Sequence, residues 1–325
     1  MAQRRVVPVE DLGAAIVSHE ADGYRLRTIS PADEPRWADL DGPGLEGTDP
    51  VRLDRTATTE HTIDDAPQPL TIPELVSELV VSRAIDADHG EGRAGMRYRD
   101  LIPTRLGGRF IASHISIPGA GPVADYVHHH DIRFQLIFCH AGWVEVVYED
   151  QGESFVMRPG DCVIQPPGIR HRVLASGDDL EVVEIGCPAE HDTHREHELE
   201  LPNGVGDPER AWGDQRFIRH VCADATWGDS PRVGWEWQRF GINAATDGLA
   251  EGRLARTAGP TEPWALATHE LEFAFIFCRR GELRFVTDTE EIRLAPGDSV
   301  SVPPGLFHAF GTADAAEMLV VTLPG

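Results

Sequence analysis

Long hydrophobic runs are missing from this chain, which nowhere approaches the roughly 18 consecutive apolar residues of a membrane-spanning helix. Its opening residues, MAQRRVVPVEDLG, carry two arginines but lack the apolar run of a secretory leader, so a cytoplasmic location is expected. Cysteine is scarce, and no CxxC pair occurs. The five cysteines, Cys139, Cys162, Cys187, Cys222 and Cys278, are odd in number and mostly sit inside apolar runs such as LIFCH and FIFCR. This pattern argues against a disulfide framework and a thiolate zinc site, and predicts buried free thiols. Positive charge is also in short supply, with 29 basic against 54 acidic residues and a net charge of −25. Such a surface repels phosphate backbones and anionic membranes, so neither nucleic acid nor membrane is an expected partner. A small anionic molecule stays admissible wherever a bound metal dominates the local field.

What the sequence does have is an internal repeat. HHHDIRFQLIFCHAGWVEVVYED, from His128, matches THELEFAFIFCRRGELRFVTD, from Thr268. His130 pairs with His269, Phe134 with Phe273, Cys139 with Cys278 and Gly142 with Gly281, always 139 positions apart. Downstream, RPGDCVIQPPGIRH matches APGDSVSVPPGLFH, where His171 pairs with His308 at a spacing of 137. Two copies of this length describe duplicated domains rather than a solenoid. The 325 residues, 41% of them hydrophobic, suffice for two such cores. Each copy reads as β: runs such as FQLIF, WVEVVY and LEVVEIG alternate with Gly, Pro and Asp breaks, the mark of a sandwich or barrel. The PGD segments read as tight turns.

These patterns predict an N-terminal arm over 1–93, a first barrel over 94–190, a polar linker over 191–224 and a second barrel over 225–325. Within the arm, Thr71 to Glu74 fits a capping box ahead of LVSELVV, which predicts a helix. The arm is expected to hold turns, at least one helix and a strand or two, and its stretch from Pro31 to Pro69, rich in Pro, Gly and Asp, is expected to be loop. His191, His194 and His197 of the linker are expected to be solvated.

His128 and His130 stand two apart on a predicted strand, so alternation places them on one face and His129 on the other. Gln135 follows His130 by five residues and Gly142 follows Gln135 by seven. Then come Gly160, five residues, Pro166-Pro167-Gly168, two residues and His171. With these two spaced motifs the chain resembles the cupin superfamily. The resemblance implies an all-β fold of two double-stranded β-helix, or jelly-roll, barrels behind a partly helical arm. It implies one divalent transition metal held in the first barrel by His128, His130 and His171, with Gln135 at the position where the family carries a glutamate. Imidazole donors suit Fe(II), the expected metal, as well as Zn, Ni or Mn, and leave coordination positions open. A neutral amide leaves the ion's charge at +2, which favours an anionic, chelating small-molecule substrate. Gln135 either binds the metal or sits behind it.

Arg133, two before Gln135, is expected near the pocket mouth, either clamping a substrate carboxylate or in a rim salt bridge. Gln135 and Arg133 are therefore the candidate catalytic residues. Arg109 and Tyr98 are weaker candidates for pocket lining, and Ile137 and Cys139 should continue the face of Gln135 as an apolar floor. In the second copy Ala267 and Ala274 replace two ligand positions, leaving His269 and His308, with Glu272 a candidate third donor. The architecture is similar to that of gentisate-type ring-cleaving dioxygenases, and quercetin-type and diketone-cleaving enzymes share the metal logic. It implies an Fe(II)-dependent dioxygenase acting on a small aromatic or enolisable carbonyl compound. A metal-dependent isomerase or lyase and a non-catalytic ligand-binding cupin are the alternatives. A homo-oligomer is compatible with this reading.

Overall fold

A computed structural model describes residues 3–43, 49–66, 68–86, 90–91, 96–117 and 119–325. Strands dominate, and the α-helices among the described residues are Leu12–Ala21 and the single turn Ile242–Ala245. Neither is long and apolar enough to cross a membrane. The two halves repeat one arrangement. In the first, Phe134–Ala141 lies between Cys162–Ile164 and Leu180–Cys187, all antiparallel. In the second, Phe273–Arg280 lies between Ser299–Ser301 and Ala316–Leu323 in the same way. Both central strands carry a register shift at the equivalent point, Cys139/Ala141 and Cys278/Arg280. The motif glycines follow at once. Gly142 and Gly281 adopt φ of 67° and 71°, and a Cβ on Gly142 would meet the Asp179 carbonyl oxygen at 2.8 Å. Only glycine combines that backbone with that approach.

Alternation along the central strands sorts their side chains between two interiors. Phe134, Leu136 and Phe138 join Phe273, Phe275 and Phe277 in one cluster shared by the barrels, with Phe110 stacked on Phe273 at 4.2 Å. Ala274, Ile276 and Cys278 point instead into the core of the second barrel. Both faces are buried, which is why FQLIF and FAFIF read as unbroken apolar runs. All five cysteines are free thiols, four of them buried. The barrels also exchange strands. Val80–Ser82, which precedes the first barrel, pairs with Ser299–Ser301 of the second, and Ile218–His220, which precedes the second, pairs with Cys162–Ile164 of the first. Each added strand covers a sheet edge that would otherwise expose unpaired backbone.

The arm differs from expectation in two places. No helix forms after Thr71; residues 71–79 run without regular structure into Val80–Ser82. Ile72 and Leu75 pack on the shared cluster and Leu79 and Val81 on the second barrel's core, so tertiary burial of these apolar residues overrides a local capping pattern. The helix of the arm is Leu12–Ala21, where the Asp11 carboxylate accepts the Ala14 N–H at 2.9 Å. The stretch from Pro31 to Pro69 is likewise more than loop. Trp37–Asp41, Val51–Asp54 and His61–Asp64 join Gln3–Pro8 in a sheet over a small core of Leu26, Ala38, Leu40, Val51 and Leu53. Arg4, fully buried, holds it by donating to the Leu40 and Val51 carbonyls and to Asp65. The expected start of the first barrel, residue 94, lies outside the described residues. Residues 191–224 contribute strands to neighbouring sheets, among them Thr193–Arg195 and Ile218–His220.

The chain contains no lysine, so every side-chain cation other than protonated histidine is a guanidinium. Between the barrels, Glu272 accepts from Arg109 at 2.5 Å and from Arg133 at 3.1 Å. Replacing Glu272 with alanine leaves two half-buried guanidinium groups facing each other, and should cost about 2 kcal/mol in urea unfolding. His140, edge-on to Phe277 at 5.1 Å, is held down to about 4 by burial, with Glu181 opposing. The unfolded chain therefore takes up this proton below about 6.5 while the folded chain refuses it, so stability present at neutral pH declines as pH falls towards 4. His140→Phe should flatten the urea midpoint between those pH values; an unchanged slope would show that other groups set it.

Candidate metal centre

His128 and His171 face each other directly across paired antiparallel strands, and His130 lies two residues on from His128 on the same face. All three are buried, their ring centroids 4.3 to 5.2 Å apart. One donor atom from each lies within 4.8 Å of the others. The rings are oriented from behind. His128 Nδ1–H donates to the Tyr126 carbonyl at 2.8 Å and His171 Nδ1–H to the Ile169 carbonyl at 3.0 Å. A carbonyl only accepts, so in their neutral form these rings carry the proton on Nδ1 and the lone pair on Nε2. His130 Nδ1 meets Thr193 Oγ1 at 3.1 Å. Such outward bonds fix tautomer and rotamer as metal-ligating histidines require. His129 faces away as alternation predicts, stacked on His194 at 5.0 Å.

Gln135 joins the three rings in lining a cavity of about 130 Å³. Its Nε2 donates to Glu184 Oε1 at 2.6 Å, and its buried Oε1 has no hydrogen-bond partner. An orphaned buried acceptor beside three oriented imidazoles fits a bound cation. The charge inventory changes, however: Glu184, from the strand beside Gln135, brings a carboxylate that motif spacing did not reveal. A cation bound there would meet a neutral amide, with the Glu184 carboxyl group one hydrogen bond behind it. Most of the remaining wall is aliphatic, including Ile111, Ile115, Ile137 and Val182. Burial pushes the Tyr148 phenol up, so it stays protonated while accepting from Gln165 Nε2 at 3.0 Å.

Several expected positions fall elsewhere. Arg133 and Arg109 do not line the cavity; their shared partner is Glu272, the salt-bridge alternative. Both Arg133 and Glu272 precede the first residue of a central strand, so strand alternation does not govern their direction. Glu272 is thereby withdrawn from His269 and His308, and no third donor accompanies those two rings among the described residues. Tyr98 and Ile137 do line the cavity, whereas Cys139 packs in the adjoining core. The linker histidines are not simply solvated. His197 Nε2 bonds the Leu26 carbonyl, and His194 bridges Thr28 and Asp131. His191, only 5% exposed, lines the cavity edge-on to His130, with its Nε2 lacking a partner. Its place follows from the pairing of Thr193–Arg195 with His128–His130, which the acidic context of the linker conceals.

The cupin domain model matches residues 114–186 and again 257–322, so the chain carries two cupin domains. Solved bicupin structures share the fold. A glyoxylate-induced protein of Pseudomonas aeruginosa is 14% identical over 78% of this chain and 92% of its own, with a TM-score of 0.51. A salicylate 1,2-dioxygenase of Pseudoaminobacter salicylatoxidans is 13% identical over 77% and 85%, with a TM-score of 0.54. An oxalate decarboxylase of Bacillus subtilis is 15% identical over 79% and 80%, with a TM-score of 0.53. At such identities the likeness is one of fold. No curated protein matches the sequence.

Elemental analysis should find one divalent ion per chain, lost in His128→Ala, His130→Ala or His171→Ala and retained in His129→Ala and His269→Ala. Thr193→Val should weaken metal affinity by roughly tenfold, because it releases the His130 ring. Two ions per chain, with the second lost in His269→Ala, would refute a centre confined to the first barrel.

Proposed function

We propose that the first barrel is a metal-dependent enzyme centre, and that its reaction is an Fe(II)-dependent dioxygenation of a small aromatic or enolisable carbonyl compound. The observation that carries the reading is the set of three buried, pre-oriented imidazoles on one small, largely aliphatic cavity. Three neutral nitrogen donors leave positions for a chelating substrate and a second small molecule. The bound ion would supply the redox and Lewis-acid chemistry, while the chain supplies position and a dry environment. His128, His130 and His171 hold the centre; Ile111, Ile115, Ile137 and Val182 exclude water from it; Gln135 presents its Oε1 while Glu184 fixes the amide's direction. A cavity of about 130 Å³ limits the substrate to a compact molecule. The fold shared with a salicylate 1,2-dioxygenase agrees with this choice of chemistry.

A non-oxidative isomerase or lyase using Zn, Ni or Mn is favoured by one specific observation. Glu184 and His191 place a carboxylate and an imidazole on the cavity wall, and proton transfer needs such groups.

Oxygen consumption by the metal-analysed protein, measured over catechols, hydroxybenzoates and β-diketones, separates the two. Dioxygenation predicts iron, uptake of O₂ that His128→Ala abolishes, and retention of at least about a tenth of the rate in Glu184→Gln. Turnover under argon, with a loss of roughly 10²- to 10⁴-fold in Glu184→Gln, would replace it with the proton-transfer reading. No turnover under either atmosphere, despite saturable ligand binding, would leave a non-catalytic binding protein.

A further inference from the structure

The second barrel has a cavity of its own, about 470 Å³, within the roughly 300–1,000 Å³ range of small-molecule pockets. It is larger than the cavity of the first barrel, and its chemistry is different. Aromatic walls come from Trp235, Trp264 and Phe310, with Trp264 lying 6.4 Å from Trp235 and 5.6 Å from Phe310. Two guanidinium groups reach it, Arg232 over the Trp264 ring at 4.7 Å and Arg253 over Trp237 at 4.4 Å. No aspartate or glutamate lines it. Neither arginine forms an ion pair with a carboxylate within 4 Å among the described residues; Glu251, on the same strand as Arg253, acts on it only through space while its Oε2 is engaged by Arg239 at 3.3 Å. In a chain of net charge −25, an acid-free cavity with two arginines stands out.

The hydrogen-bond balance points the same way. Trp235 Nε1 and Arg253 Nε are buried donors without an acceptor. His269 is a polar neighbour rather than a third free donor: its Nδ1 accepts the Leu271 N–H at 3.2 Å, and the Val302 carbonyl acts on the same ring. Two buried donors without acceptors are costly unless a ligand supplies the lone pairs. A metal does not answer that need, because an ion requires acceptors. A carboxylate does, since it offers about four lone-pair sites and matches a guanidinium in plane. Indole faces in turn favour a flat ring.

We propose that the second barrel is a metal-independent binding site for a small planar organic anion, an aromatic carboxylate in chemical class, with its carboxylate on Arg253 and Trp235 and its ring against Trp264. The substitution of alanine for two ligand positions, Ala267 and Ala274, then has a positive meaning: small side chains on the cavity wall leave room for that ring. The site stands apart from the proposed reaction of the first barrel and does not depend on it.

The test is calorimetric titration of benzoate into the full-length protein, with benzamide as the neutral isostere. Benzoate should bind one per chain in the second barrel, with benzamide at least about tenfold weaker. Arg253→Gln and Arg232→Gln should each weaken benzoate by about tenfold or more, and His128→Ala should not change it. Having two arginine variants keeps the test intact if one fails to fold, as judged by circular dichroism. Trp264→Leu should also weaken benzoate binding. Three results would overturn the proposal: no saturable binding by about 10 mM, equal affinity for benzamide, or binding lost in His128→Ala and kept in both arginine variants.

Discussion

The strands Phe134–Ala141 and Phe273–Arg280 send Phe134, Leu136 and Phe138, and Phe273, Phe275 and Phe277, into one cluster between the barrels. Fully burying each large apolar side chain contributes roughly 1.5–3 kcal/mol, so this contact dominates the association of the two halves. It also constrains the rest of the molecule. With period-two alternation, committing one set of positions to the shared cluster forces Gln135 and Ile137 to face the first cavity and Ala274 and Ile276 to face the second. A slip of one residue would exchange the phenylalanines with the site residues in both barrels at once. The exchanged strands Val80–Ser82 and Ile218–His220 hold this register from the outer side.

The geometry of the first centre depends on groups well away from its motifs. His128 and His171 are oriented by carbonyls two residues before each of them, a local consequence of the turns that lead into their strands. His130 relies on Thr193, which belongs to a strand added after the barrel is complete. That strand continues through Arg25–Ser30 into the arm's sheet. The arm is therefore part of the support of the centre, and Ala32 and Asp33 from it reach the cavity wall. Gln135 and Glu184 come from two neighbouring strands, so the amide faces the three rings and the carboxyl group stands behind it.

Duplication has produced two cavities of opposite demand. The first gathers lone pairs, on imidazole nitrogens and an amide oxygen, and calls for a cation. The second gathers N–H donors, on an indole and a guanidinium, and calls for an anion. His130 and its counterpart His269 mark the divergence in a single residue. His130 Nδ1 is engaged by a hydroxyl, while His269 Nδ1 accepts a backbone N–H and the Val302 carbonyl acts on the same ring.

The sequence alone determined the repeat, the strand-rich class, the equivalence of the two central strands and the convergence of His128, His130 and His171. Each rests on short-range rules: alternation, turn glycines at Gly142 and Gly281, and motif spacing. It also marked the second barrel as lacking two ligand positions. Tertiary structure decided what those rules do not reach. Residues 71–79 surrendered a capping box to burial between the barrels, and the Pro31 to Pro69 stretch gained strands because Arg4 and a small aliphatic core hold it. Arg133 left the cavity because Glu272, 139 positions away, lies within 3.1 Å. Glu184 and His191 reached the first cavity, and Arg253 and Trp235 the second, through pairings between strands far apart in the chain. Local pattern specifies which face a residue takes within its own strand; which charges and donors meet across a barrel is set only when the sheets close.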